Sequence, residues 1–368
     1  MKEGAIYLPG LNGIRAIAAL AVVVSHVTMG LHQFGLNTFL FGEVDGEPRN
    51  YDLAWHGVSM FFVLSGFLIT YLLCQEKSEA PVNIKKFYMR RILRIWPLYY
   101  AYLLIIVIVY LIFQLDFQGA TILYYIFYTA NIPFTLGNAL LLLSHYWSLG
   151  VEKQFYLMWP WITRLSIKRM TIVSIILLIT LLGLKSVLHL IYPGTLLESF
   201  MNITRFQCML FGCVAALLFY QKNQLLSIIS ANKIVQIFCW ICLLLVALNY
   251  FHIASFLDTE IFSAITAIMI LGQINGASPI KLENKLFDFL GKNSYGIYVI
   301  HPLIIFILAK ALPKMPIDNP LSYVSVFTLV IGLTIGISHL SFKYYESFFL
   351  KIKKRKFTVV PSRAHMRN

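Results

Sequence analysis

The sequence predicts an all-α integral membrane protein of about ten transmembrane helices, both termini cytoplasmic, with a re-entrant or interfacial segment near 121–143. Three observations lead there. Of 368 residues, 59% are hydrophobic and 12% charged, more apolar material than a water-soluble fold hides and enough, at about 20 residues per helix, for about ten spans. The apolar residues fall into stretches of near-spanning length. The basic residues between those stretches cluster asymmetrically, as cytoplasmic loops require.

The first stretch, 11–30, contains Arg15 and precedes many others, so it reads as a retained helix rather than a cleaved signal peptide. Further stretches lie near 54–74, 97–115, 121–143, 145–163, 171–191, 203–220, 234–252, 256–276, 295–312 and 321–342. A cytoplasmic N-terminus puts Lys77, Lys85, Lys86, Arg90, Arg91 and Arg94 inside. A full crossing by 121–143 would send every later basic cluster outside. Asn131, Pro133, Gly137 and Asn138 break that stretch, and a segment that enters without crossing returns 23 of the 30 basic residues to the cytoplasm. The net charge of +14 is thereby explained by topology, and nucleic acid is not an expected partner.

Residues 1–345 read as the transmembrane domain and 346–368 as a basic cytoplasmic tail, whose LKIKKRKF run would be drawn to anionic membrane lipids. The longest polar outer loop, 31–53, carries Glu43, Asp45, Glu47, Arg49 and Asp52. Cys74, Cys208, Cys213, Cys239 and Cys242 sit in apolar stretches without metal-ligand spacing, so neither disulfides nor a metal site is expected.

Ionisable residues at bilayer depth are costly unless paired or hydrated, which makes each a functional candidate. Arg15 and His26 stand eleven residues apart, about three helical turns and roughly 16 Å, on one helix face. A buried neutral imidazole there can accept a proton from a hydroxyl; a hydrogen bond between helices is the alternative. In FYMRRILRIWPLYY, Arg91 and Arg94 share a face, and two guanidinium forks suit a phosphate or pyrophosphate. A positive-inside anchor is the alternative, and Trp96, Pro97, Tyr99 and Tyr100 behind the pair would shape a mouth as well as mark the interface. In HYWSLGVEKQFYLMWPW, Glu152 needs a basic partner or a proton, and because the adjacent Lys153 points elsewhere on a helix, Arg15 or His26 is the expected partner. A buried ion pair serving folding is the alternative. His301 with Tyr295 and Tyr298 forms a polar stripe, where close helix packing explains Ser294 and Gly296 equally, and Ser65 beside Gly66 is a candidate nucleophile, a packing contact being the more common role of such a residue. Lys185, His189, Glu198 and Arg205 form an outer-side pair or line a path.

These motifs, with GVSMFFVLSGFLIT and SYGIYVIHPL, run in order from residue 8 to about 345 and resemble the acyltransferase-3 family of bacterial integral membrane acyltransferases. The resemblance is to a stand-alone member without the C-terminal hydrolase-like domain of some relatives. It implies an O-acetyltransferase of the cell inner membrane that moves an acetyl group from cytoplasmic acetyl-CoA, with no metal, to a glycan or lipid-linked glycan, with lipopolysaccharide O-antigen the expected acceptor. It also implies that His26, Arg15 and Glu152 are catalytic, with Glu152 orienting or charging His26, while Arg91 and Arg94 bind the acetyl-CoA co-substrate. A secondary transporter, or a flippase or export partner for the glycan, is the alternative, since buried charges and a broken segment also suit those. Acetyl-CoA binding separates the readings.

Overall fold

The computed structural model describes residues 8–44, 46–116, 119–253, 256–316 and 319–357; Lys2, Asp45 and the tail beyond 357 lie outside them. The chain is an all-α membrane protein. In order, α1 is Leu11–Gly30, α2 Tyr51–Glu79, α3 Ile84–Ile112, α4 Ile122–Ile126, α5 Asn131–Thr135, α6 Tyr146–Ile162 and α7 Ile167–Ile191. Then follow α8 Leu196–Thr204, α9 Phe206–Tyr220, α10 Gln224–Ala231, α11 Lys233–Ala247, α12 Asp258–Ile274, α13 Lys285–Ala311, α14 Pro320–Leu340 and α15 Ser347–Phe357. A two-residue hairpin, β1 Glu43–Val44 with β2 Glu47–Pro48, lies in the loop before α2.

Local sequence sets many of the helix starts. Asn83, Asn223, Asn232, Asn284 and Asn319 each accept a first-turn backbone N–H through the side chain, and Ser166 and Thr195 do the same before α7 and α8, satisfying donors that a helix start otherwise leaves bare. By length and composition, seven helices among the described residues are able to span a membrane, or eight if the pair α10–α11, bent by 66°, counts as one.

The stretch 121–143 forms no spanning helix. It is built from two 3-10 turns and the five-residue α4 and α5, with left-handed backbone at Tyr128 and Gly137. Irregular backbone is tolerated within an apolar body only where protein groups satisfy it, and here tyrosine hydroxyls do so. Tyr99 donates to Tyr125 O at 2.6 Å, Tyr100 to Ile126 O at 3.0 Å and Tyr102 to Leu142 O at 3.1 Å, while Tyr125 accepts from Leu140 N at 2.8 Å. The aromatics after Arg94, expected at a mouth, thus also hold the broken segment.

Helix α2 packs most closely on α9, and α1 on both α2 and α13. Gly66 and Gly212 make the first contact: a Cβ on Gly66 would stand 2.0 Å from Met209 O, and one on Gly212 2.0 Å from Val63 O. Small residues let the two backbones approach in this way. The resulting core of α1, α2, α9 and α13 is more buried than α7, α3 and α14, which lie toward the periphery.

Candidate active site

Two cavities lie along α1, one at each candidate residue of that helix. The first, about 100 Å³, is lined by Arg15 from α1, Ser65 from α2, Arg91 and Arg94 from α3, and Glu152 and Tyr156 from α6. The second, about 190 Å³, is lined by His26, Tyr51, Trp55, Phe134, His145 and Trp147. Val58 and Tyr298 line both. The helical spacing that put Arg15 and His26 on one face thus separates them into adjoining chambers, arginine side and histidine side.

On the arginine side, Arg91 lies over the rings of Tyr156 and Phe87, its Cζ 5.2 and 5.5 Å from their centroids. Among the described residues, none of Arg15, Arg91 and Arg94 forms an ion pair with a carboxylate. Glu152 is already saturated. Its Oε1 accepts from Ser65 Oγ and Tyr156 OH, each at 2.5 Å, and its Oε2 from Lys153 Nζ at 2.7 Å. The expectation that Arg15 or His26 pairs with Glu152 is therefore corrected to Lys153: neighbouring Cα–Cβ bonds diverge on a helix, but a flexible four-carbon stem folds back to a buried carboxylate when desolvation leaves both charges costly alone. Ser65, offered as a nucleophile or a packing residue, is a hydrogen-bond donor to that carboxylate.

On the histidine side, three imidazoles converge. His26 Nδ1 lies 2.7 Å from His301 Nε2, and His301 Nδ1 lies 3.2 Å from Ile297 O. A carbonyl only accepts, so for neutral rings His301 carries its proton on Nδ1, accepts at Nε2 from His26 Nδ1–H, and leaves His26 Nε2 a bare lone pair. The orienting partner of His26 is thus His301 and not Glu152, which lies in the other chamber. His145 Nε2 is 3.1 Å from Val299 O, and its buried Nδ1 has no partner, which makes it a second free acceptor. Tyr298 OH donates to His145 O at 2.9 Å and lies 2.6 Å from Ser148 Oγ, fixing the wall between the chambers.

The sequence motifs leave His301 a secondary candidate and give His145 no role, because the groups that orient them come from far along the chain: His26 lies 275 positions from His301 and Val299 O 154 positions from His145. Of the outer charges, Lys185 pairs with Glu260 at 2.6 Å and His189 with Glu198 at 2.7 Å. Arg205 stacks its Cζ 4.3 Å from the Trp55 ring centroid, backing the histidine-side wall.

The chain is similar to the O-acetyltransferase OatA of Staphylococcus aureus, at 27% identity over 97% of this chain and 59% of that protein. It is likewise similar to the peptidoglycan O-acetyltransferase OatA of Listeria monocytogenes, at 27% identity over 93% of this chain and 55% of that protein. It therefore spans roughly three fifths of the length of the curated relatives it matches. No solved structure matches it. The family model described as an acyltransferase domain matches residues 8–339, all the helices from α1 through most of α14, and the chain belongs to the acyltransferase-3 family.

Proposed function

We propose that the protein is a membrane O-acetyltransferase that takes an acetyl group from acetyl-CoA on its arginine side and delivers it to a glycan hydroxyl on its histidine side. The observation that carries this reading is the pairing of two chambers across one shared wall, with arginines that form no ion pair in one and imidazole acceptors in the other.

Arg91, Arg94 and Arg15 would hold the phosphates of the donor, and its flexible arm would carry the thioester past Val58 and Tyr298. His26 Nε2 takes the proton of the acceptor hydroxyl as the oxygen attacks the thioester carbonyl. The carbon–sulfur bond then breaks, the CoA thiolate leaves, and the proton on His26 is released to it or to water. His301 holds the tautomer throughout, the orienting role that a base needs in acyl transfer. Glu152, with Lys153, Ser65 and Tyr156, shapes the donor chamber.

The arginine side faces the cytoplasm in this reading, which agrees with ten spans and both termini inside: α6 and α12, of 17 residues each, would join the eight spans counted with the bent pair. The location is the bacterial cytoplasmic membrane, with residues 346–368 as its cytoplasmic tail. The name of the Listeria relative favours peptidoglycan as the acceptor over lipopolysaccharide O-antigen. Transfer of label from acetyl-CoA to isolated peptidoglycan and to O-antigen, in membranes holding the intact chain, tests the reading. Label on either glycan that depends on His26 supports acyl transfer. Without label or acetyl-CoA binding, the transporter reading takes its place.

A further inference from the structure

The basic segment after Lys343 is more ordered than attraction to a lipid surface requires. It leaves α14 through a π-helical turn, Ser341–Glu346, and continues as α15, SFFLKIKKRKF, which packs along α3, the helix of Arg90, Arg91 and Arg94. Arg90 Nη1 donates to Phe357 O at 3.2 Å and Tyr345 OH to Pro97 O at 3.2 Å, so both ends of the packed segment are tied to α3. Burial along it has a helical period. Glu346, Leu350, Lys353 and Phe357 are buried or half-buried, whereas Lys351, Lys354, Arg355 and Lys356 are exposed, and spacings of four, three and four place the first set on one stripe.

Lys353 is the α15 cation on that stripe, and it lies within electrostatic reach of Arg94, Arg91, Arg90 and Arg15. Like charges gathered in a partly desolvated place repel strongly unless an anion is shared between them. Glu346 and Glu152 lie within electrostatic reach of Arg94 but form no ion pair with it. Arg90 alone is paired, to Glu76 at 2.5 Å, and among the described residues Lys353, Arg15, Arg91 and Arg94 have no carboxylate at ion-pair distance. Glu346, the acid on the same stripe, accepts from Ser341 Oγ at 3.2 Å instead.

We infer that Lys353 is a fourth phosphate-binding cation of the donor site and that α15 covers the arginine-side mouth over the nucleotide end of acetyl-CoA, an inference that rests on the donor assignment above. The charges match. The pyrophosphate carries about two negative charges and the 3′-phosphomonoester about 1.5 to 2 near neutral pH, against the four cations Arg15, Arg91, Arg94 and Lys353. The exposed Lys351, Lys354, Arg355 and Lys356 remain for lipid headgroups, so one short helix has two faces with two phosphate sources.

Equilibrium binding of labelled acetyl-CoA to the full chain in nanodiscs separates those sources, measured once in purely zwitterionic lipid and once with anionic lipid added. Lys353→Ala weakens binding about tenfold in both lipids, Lys353→Arg restores it to within about twofold, and the double change Lys354→Ala, Lys356→Ala binds as the unaltered chain does. Lys353→Gln, which keeps most of the stem, replaces the alanine variant if that one does not fold. Unchanged binding by the uncharged variant, a loss confined to anionic discs, or an equal loss in the exposed double variant overturns the inference. Absence of acetyl-CoA binding by the unaltered chain overturns the donor assignment as well, whereas binding by that chain with no effect at Lys353 overturns this inference alone.

Discussion

The two chambers lie in the same apolar body and carry different polar groups. The arginine side gathers guanidinium groups without carboxylate partners, and its carboxylate, Glu152, is fully occupied by Lys153, Ser65 and Tyr156. In the proposed reading its arginines take the anionic donor. On the histidine side the ring hydrogens run in a chain from His26 to His301 to a backbone carbonyl, with His145 fixed by another carbonyl. That side is already ordered, and what it offers is lone pairs. The Lys185–Glu260 pair shows a third arrangement: both charges are buried and Gln207 Nε2 donates to the same Glu260 oxygen at 2.9 Å, as charges that serve the fold are held. In the proposed reading the unpaired arginines bind the donor and the oriented imidazoles take the proton, whereas Lys185 and Glu260 satisfy each other.

The largest effect that tests this division belongs to His26. His26→Ala lowers acetyl transfer about 10²- to 10⁴-fold, the range for losing a general base, while acetyl-CoA binding stays within about twofold because the donor cations are untouched. A parallel loss of binding would show the two chambers to be one site. Next comes His301→Ala, which frees His26 to take the other tautomer and lowers turnover about 10²-fold at unchanged donor affinity; a rise in the acetyl-CoA constant instead would break the comparison. The double change Arg91→Ala, Arg94→Ala works on the other side. It weakens acetyl-CoA binding about 10- to 100-fold, and in the unaltered chain the same binding falls as salt rises.

How far the sequence carried this picture follows from the range of the interactions involved. Arg15 with His26, and Arg91 with Arg94, each lie on one helix, where a period of 3.6 fixes the shared face, and the structure places them in cavities as that period requires. The break in 121–143 was visible in Asn131, Pro133, Gly137 and Asn138, but its sealing by Tyr99, Tyr100 and Tyr102 was not, since those hydroxyls come from another helix. Partners of buried charges were the least readable. Glu152 takes Lys153 through side-chain reach, and His26 takes His301 from a residue 275 positions away, a contact set by how α1 and α13 pack. Lys353 was hidden differently: in LKIKKRKF every cation looks alike until a helix turns one inward.

The smallest effect asks whether the chambers communicate. Val58 and Tyr298 line both, so in the proposed reading the acyl group would pass between them on its way to His26. Tyr298 is held by hydrogen bonds to His145 O and Ser148 Oγ, which leaves the buried Val58 as the side of the passage that substitution opens without breaking a polar network. Val58→Ala removes two methyl groups there, and a pocket discriminates by about 1–3 kcal/mol per methylene, so the ratio of propionyl to acetyl transfer rises about tenfold while acetyl-CoA binding is unchanged. The same ratio in the unaltered and altered chains would mean that the acyl group reaches His26 by another route, and the wall at Val58 and Tyr298 would then be a partition between two separate cavities.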